Sequence, residues 1–276
     1  MAHSGLRAER AADPRLAACL LGERSRERVL AWRTAAVAAI ILASFYFTGL
    51  FDAARLAEGI PAIAKISGEM LPPDFSRFRE WVRPLVDTLA MSVAGTAIAV
   101  VLSLPLAFLA AANTSPNLPA YHAGRLLLNL FRAIPELILG IVLVAAVGFG
   151  ALPGVLALGL HSIGMIGKFF AESIEHVDAK PLEAARAAGA SELQVIARAI
   201  LPQVLPQMAD TAIYRWEYNF RASTVLGAVG AGGIGTELMG SLRLMDYPQV
   251  LAIMICVLVC VTAVDALGSR LRRQLA

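Results

Sequence analysis

Charged residues are scarce in this 276-residue sequence: Asp, Glu, Lys and Arg make up 16% of it, whereas soluble domains carry roughly a quarter. Hydrophobic residues reach 58%, and the mean hydropathy is +0.66. These residues lie in long uncharged runs that a water-facing surface cannot absorb. The composition therefore argues against a soluble globular enzyme and predicts a polytopic membrane protein.

Cysteine and histidine are also few. Three cysteines rule out a disulfide framework, and Cys256 and Cys260, one helical turn apart in an apolar run, are expected to act as small buried hydrophobes. Together with the four histidines they form no metal or nucleophile constellation. We therefore expect no catalytic residue, no metal and no cofactor in this chain, and the net charge of +3 gives no reason to expect nucleic acid as a partner.

No phosphate-binding loop is recognisable. Gly167-Lys168 is followed by Phe169, and the upstream glycine of a Walker A motif is missing. A second run, Gly230 to Gly235, formally matches G-x-G-x-x-G, but no strand precedes it and no βαβ unit surrounds it. Its glycines are expected to permit close helix packing or, alternatively, to form a gate of irregular backbone; they are Gly230, Gly232, Gly233 and Gly235.

Five apolar runs are long enough to cross a membrane as helices. A cleaved signal peptide is the alternative for the first run, but its apolar core is longer than is typical. Pro84 suits the first turn of the second run, and Pro105 should kink it. The runs lie at 34–51, 85–112, 126–149, 153–171 and 249–268.

A sixth crossing is predicted at 203–229 although that segment is polar. Both termini are rich in arginine, so the positive-inside rule places both in the cytoplasm and requires an even number of crossings. The fold predicted is an all-α bundle of about six transmembrane helices. It comprises a cytoplasmic segment at 1–33, a first helix with an external segment at 34–84, and a membrane core at 85–276. Within the external segment, apolar positions from Leu56 to Met70 suit a helix resting on the outer surface.

A cytoplasmic loop follows the fourth run. Pro181 suits the first turn of one short helix, Gly189 supplies the left-handed residue that ends it, and Ser191 with Gln194 forms a capping box for the next. Such a stiff elbow could dock on a soluble partner. An ordinary hairpin is an equally good interpretation of the local chemistry.

The same loop contains Glu183-Ala184-Ala185, then Gly189, then Leu201-Pro202. This pattern resembles the EAA loop of ABC importer permeases, with Ala199 standing where that pattern has isoleucine. The resemblance implies that the segment at 178–202 is a coupling helix that fits a groove on an ATPase subunit. It also implies a bundle of the type I importer kind.

Three further segments are similar to the permease of phosphonate ABC importers: Phe131-Arg-Ala-Ile-Pro-Glu136, His161-Ser-Ile-Gly-Met-Ile-Gly-Lys168, and the run from Tyr214-Arg-Trp-Glu-Tyr-Asn-Phe-Arg to Gly235. The likeness covers residues 85 to 276. It implies a multi-pass subunit of the cell or inner membrane that is not itself an enzyme. A second permease copy, two ATP-binding subunits that hold ATP and Mg²⁺, and an extracytoplasmic binding protein would complete the importer.

The substrate implied is a phosphonate or a related phosphorus oxyanion such as phosphite or phosphate. A permease for methionine or another small solute is the first alternative, because methionine-type permeases share part of the glycine-rich stretch. A polytopic enzyme acting on phosphorylated lipid is the second, and it lacks an identifiable nucleophile or metal set.

Charges inside the apolar runs cost about 2.5 to 3.5 kcal/mol each on insertion scales, so they must face protein or water. The spacings of Arg132 with Glu136 and of Glu217 with Arg221 suit ion pairs that lock helices together, and side chains that lie near the interface and snorkel are a further structural interpretation. The alternative is that Arg132, Arg215 and Arg221, with those carboxylates beside them, line a path for an oxyanion. His161 and Lys168 share one helix face and are expected to be a satisfied interior histidine and a snorkelling lysine.

Overall fold

The computed structural model describes residues 14–275, which form helices and, over that range, no strand. It divides into two compact units, Met1–Ser67 and Gly68–Ala276. The first unit contains α1, Pro14–Phe47, and most of α2, Ala53–Glu69. Residues 1–13 of the segment predicted to be cytoplasmic lie outside the described residues. Helix α2 exposes the apolar positions noted in the sequence, Leu56, Ile60, Ile63 and Ile66.

The second unit carries the other helices. They are α3 Phe78–Ala110, α4 Leu118–Ala133, α5 Glu136–Val147, α6 Ala151–Glu175, α7 Ala179–Ala187, α8 Glu192–Val195, a π-helical turn Ile196–Ile200, α9 Leu201–Gly227, α10 Ile234–Arg243 and α11 Tyr247–Leu275. Helix α3 begins at Phe78, so Pro84 lies inside the helix and not in its first turn.

Helix α6 is the centre of the second unit, where it packs against α3, α4, α5 and α9. Small residues allow close contact between α3 and α6. A Cβ placed on Gly95 of α3 would lie 3.0 Å from the Leu158 Cβ of α6, and one on Gly159 would lie 3.5 Å from the Gly95 carbonyl oxygen. Membrane helices depend on such close packing because lipid supplies no hydrophobic force to bring them together.

The third predicted span is broken, which corrects the expectation of one helix at 126–149. Helices α4 and α5 meet at an angle of 81° across Ile134 and Pro135. Proline lacks the N–H that would continue the hydrogen-bond ladder, and it disfavours the helical conformation of the residue before it. Ile134 is accordingly extended, with φ −93° and ψ 119°.

Within the described residues, four helices are long and apolar enough to cross a membrane, and the bent pair α4–α5 makes five if it counts as one span. Helix α9, the sixth predicted crossing, is not among them because of its polar residues. It is nevertheless continuous over 27 residues, which at 1.5 Å per residue gives ample length for a bilayer. Its crossing therefore stays a prediction.

Candidate functional site

The loop after α6 folds into the two-helix elbow that its sequence predicts. Asp178 begins α7 and accepts a hydrogen bond from the Lys180 N–H at 3.1 Å. At the other end Gly189 has φ +84°, its N–H donates to the Arg186 oxygen at 2.9 Å, and the Ala190 N–H donates to the Ala185 oxygen at 3.1 Å. These two bonds form a Schellman motif, which needs a left-handed residue at the glycine position.

An ion pair and a capping bond fix the second half of the elbow. The Ser191 N–H donates to the Gln194 side-chain oxygen at 2.9 Å, which is half of the predicted capping box. Arg186 of α7 donates to both carboxylate oxygens of Glu192 in α8, at 3.0 and 2.9 Å. This contact lowers the pKa of Glu192 and raises that of Arg186. The angle between α7 and α8 is thereby held by side chains as well as by backbone.

The elbow presents its family motif to the outside. Glu183, Ala184 and Gly189 are exposed and Ala185 is half-buried, while Leu182 and Val195 are buried in the main apolar cluster. Leu193 of α8 is 79% exposed. The motif did not single out this residue, although a leucine in an otherwise polar loop is the available signal.

The i,i+4 ion pairs suggested by the spacing of the charged residues are wrong. No ion pair of the described residues joins Arg132 to Glu136, since the helix breaks between them. Glu136 instead accepts a hydrogen bond from the Tyr218 hydroxyl at 2.7 Å and lies 3.3 Å from His161 Nε2. The other nitrogen of His161 lies 2.9 Å from the Ile134 carbonyl oxygen, so the imidazole joins α6 to both sides of the break.

The second suggested pair is also wrong, because both of its members bond to α11. Arg272 donates to the buried Glu217 at 2.7 Å, and Arg221 donates to Asp265 at 2.8 Å. Arg272 also lies 3.8 Å from Asp210. Residues one turn apart on α9 are therefore neutralised by a neighbouring helix and not by each other, a possibility that helical spacing alone does not reveal.

Arg215 differs from the other charged candidates in its burial. Only 6% of it is exposed, its Nε donates to Ser162 Oγ at 2.9 Å, and its guanidinium carbon lies 4.2 Å from the centre of the Tyr218 ring. Its Nη2 is buried without a hydrogen-bond partner among the described residues. The structure thus brings Arg215, Tyr218 and Glu136 together, and it separates them from the Glu217–Arg272 and Arg221–Asp265 pairs.

The glycine-rich segment between α9 and α10 is closely packed. A Cβ on Gly230 would come within 2.5 Å of the Phe149 ring, one on Gly232 within 3.0 Å of the Ala151 nitrogen, and one on Gly233 within 2.5 Å of Thr88 Oγ1. A Cβ on Gly235 would collide with the Thr224 carbonyl oxygen. The Ile234 N–H at the start of α10 donates to Thr88 Oγ1 at 2.8 Å. Small residues are therefore needed here for packing, and a gating role stays a prediction.

The structure is a bundle of helices long enough to cross a membrane, with an exposed two-helix elbow, and comparison with known proteins identifies its family. Residues 103–276 match the family described as binding-protein-dependent transport system inner membrane component. The chain belongs to this family of ABC importer permeases, as the EAA resemblance implied. It is thus a multi-pass membrane protein that serves as a transport subunit, and it is not an enzyme.

Individual relatives show which members of the family this chain resembles. The chain is 63% identical over 247 residues to the phosphite transport system permease protein PtxC of Stutzerimonas stutzeri, covering 88% of this chain and 90% of the relative. It is 42% identical over 225 residues to the phosphate-import permease protein PhnE of Mycolicibacterium smegmatis, covering 82% of this chain and 42% of the relative. The phosphonate-type resemblance inferred from the sequence is confirmed.

A solved structure supports the fold. The inward-facing MetNI methionine ABC transporter contains a chain that matches with a TM-score of 0.65 at 22% identity, covering 74% of this chain and 99% of that one. The all-α importer-permease architecture is confirmed by this likeness. At this identity the match concerns the fold alone.

Proposed function

We propose that this chain is the membrane-spanning permease of an ATP-driven importer for phosphite or a related phosphorus oxyanion, phosphate and phosphonates included. The observation that carries the proposal is the 63% identity to a phosphite permease over nine-tenths of that relative. The 22% likeness to the methionine transporter concerns the fold. A phosphorus oxyanion is therefore favoured over methionine and over a lipid-modifying enzyme.

The assembly in this proposal has five subunits. A second copy of this chain would complete the membrane passage, two ATP-binding subunits holding ATP and Mg²⁺ would dock on the elbows, and an extracytoplasmic binding protein would deliver the anion. The exposed Glu183, Ala184, Gly189 and Leu193 support the docking role of the elbow. Motion of the ATPase would reach the bundle through Leu182 and α9, as a rigid-body rocking of packed helices.

The orientation in this proposal has both termini in the cytoplasm of a cell whose plasma or inner membrane holds the chain. Arg270, Arg272 and Arg273 at the end of α11 support it through the positive-inside rule. The lipid bilayer surrounds the bundle. Arg132, Arg215, Arg221, Glu136 and Glu217 stay candidates for the anion path, and Gly230, Gly232, Gly233 and Gly235 for its gate.

Uptake by the reconstituted importer tests the proposal. The permease, its ATPase and its binding protein would be placed in liposomes, and uptake of radiolabelled phosphite, phosphate, methylphosphonate and methionine would be compared with ATP inside and without it. ATP-dependent uptake of a phosphorus oxyanion, with none of methionine, is the expected result. Uptake of methionine alone would overturn the proposal.

A further inference from the structure

We propose that the Arg215 guanidinium is the anion-binding group of the membrane passage, and that Tyr218, held by Glu136, covers it in the resting state. The ligand is a small phosphorus oxyanion. This inference rests on the proposed function, and it selects one of the five charged candidates as the residue that binds the anion.

The partners of the other candidates point to Arg215. Arg221 is half-exposed and bonded to Asp265, and Glu217 is bonded to Arg272. Arg221 and Glu217 therefore already have opposite charges in contact, and Arg132 is only partly buried. Arg215, by contrast, is only 6% exposed, and no carboxylate of the described residues lies within ion-pair distance of it. A buried cation without a direct anion is expensive to keep in a membrane bundle, so a function for its charge is the natural explanation.

A polar network positions the guanidinium from three helices. Ser162 of α6 accepts from Arg215 Nε and donates to the Asn219 side-chain oxygen at 3.0 Å, and Asn219 donates to Thr96 of α3 at 2.9 Å. This arrangement fixes Nε and leaves Nη2 without a partner. A guanidinium that is fixed through Nε and keeps an unpartnered Nη2 has an N–H group free to donate to an oxyanion.

Tyr218 covers this guanidinium. Its ring stacks on Arg215 at 4.2 Å, and its hydroxyl donates to Glu136 at 2.7 Å. Glu136 begins α5 directly after the break of the bent span, whereas Tyr218 and Arg215 lie on α9, which continues from the elbow through the π-helical turn. A motion of α9 relative to α5 would break the Tyr218–Glu136 bond and uncover Arg215.

A cavity lies on the side of Tyr218 where its hydroxyl is bonded. It has a volume of about 250 Å³ and is lined by Glu136, Leu137, Tyr218, Arg221, Ala222 and neighbouring apolar residues of α9. This space exceeds that of several waters at about 30 Å³ each. Arg215 is not among the lining residues, so an oxyanion in this cavity would reach Arg215 only after Tyr218, whose ring stacks on it, moves aside.

Substitution of Arg215 tests the binding role. In the reconstituted importer with saturating loaded binding protein, Arg215→Gln should lower the oxyanion uptake rate at least about tenfold, because a neutral amide cannot replace a charge-assisted contact. The uptake rate of Arg215→Lys should lie between those of the wild type and Arg215→Gln, since lysine keeps the positive charge and lacks the planar, forked set of N–H donors. Wild-type uptake by Arg215→Gln would overturn the proposal. If Arg215→Gln does not assemble, wild-type uptake by Arg215→Lys would show that the fork has no role and would overturn it as well.

Substitution of Tyr218 tests the cover, with Tyr214 as the matched control. Tyr218→Phe keeps the stacked ring and removes only the bond to Glu136, so ATP hydrolysis without binding protein should rise about threefold or more as α9 is released. Tyr214 is 60% exposed one turn earlier on the same helix, and Tyr214→Phe should not change this rate. Equal rates of ATP hydrolysis in Tyr218→Phe and the wild type would overturn the proposal that the Tyr218–Glu136 bond keeps Arg215 covered.

The two proposals fail in different ways. Uptake by the wild-type importer decides which solute is carried, whereas the ratio of variant to wild type decides the role of Arg215. If phosphate were carried and phosphite were not, the same ratios would be measured with phosphate. If only methionine were carried, the proposed function and the anion site would both be wrong.

Discussion

Arg272 donates a 2.7 Å hydrogen bond to Glu217, although 55 residues separate the two in sequence. The Glu217 side chain is 6% exposed and that of Arg272 is 28% exposed, so α11 neutralises a carboxylate that α9 alone could not hold in an apolar bundle. This contact explains how a helix as polar as α9 packs among membrane helices. Because Arg221 is not the partner of Glu217, loss of Arg272 and not of Arg221 should destabilise the fold by leaving Glu217 unpaired.

The first prediction concerns this contact. Arg272→Gln should lower the free energy of unfolding by on the order of 3 kcal/mol, because it leaves a buried carboxylate without its partner. Arg221→Gln should cost less than about 1 kcal/mol, because the Arg221–Asp265 pair is half-exposed. Thermal unfolding of the purified permease in detergent measures both changes.

The double variant Arg272→Gln with Glu217→Gln is the control, and it should recover most of the lost stability. A larger loss for Arg221→Gln than for Arg272→Gln would contradict the pairing seen in the structure.

The second prediction concerns the turn of the elbow. Gly189→Val should reduce copurification of the ATPase severalfold, because a β-branched residue at φ +84° costs about 1 to 2 kcal/mol or more. No atom lies within 4 Å of a Cβ at this position, so the effect would come from the backbone conformation and not from a clash.

Gly189→Asn provides the matched control, since asparagine tolerates the left-handed region. It should retain near-normal ATPase binding. Equal binding by the valine and asparagine variants would remove the left-handed turn from the coupling mechanism.

The third prediction concerns pH. Arg186 lowers the pKa of Glu192 from its ordinary value of 4.5, so the folded elbow favours the ionised carboxylate. The contribution of this pair is complete above pH 4.5 and is lost as the pH falls through the lowered pKa. The mobility of a nitroxide label at Ala190 should therefore increase in acid below that range.

Glu192→Gln should abolish that pH dependence, and high salt should weaken it because the pair is exposed. An unchanged acid transition in the Glu192→Gln variant would assign the titration to another group.

The fourth prediction concerns the crossing of α9. A reporter active only outside the cytoplasm should give signal when fused after Ser241 in α10 and none when fused after Ala276, because α9 and α11 should cross in opposite directions. The 10-residue α10 is too short to span a bilayer. The inverse pattern, signal after Ala276 and none after Ser241, would show that α9 does not cross.

The sequence by itself determined the local features of this protein. Uncharged runs indicated the membrane helices, and the order of Pro181, Gly189, Ser191 and Gln194 predicted the elbow, because caps and left-handed turns depend on residues only a few positions apart. The EAA pattern and the Tyr214 to Gly235 run likewise identified the family from contiguous residues. Even the helix break at Pro135 has a local cause, although the uninterrupted apolar run at 126–149 led to the prediction of a single helix.

Only the tertiary structure decided how the charges are paired. Spacing on a helix shows which residues share a face, but the partner that neutralises a buried charge comes from whichever helix packs there. Glu217 therefore bonds to Arg272 and Arg221 to Asp265, while Arg215 is left beside Tyr218 with one nitrogen unpaired. The electrostatics of a buried site depends on contacts between distant segments, and those contacts are fixed by packing.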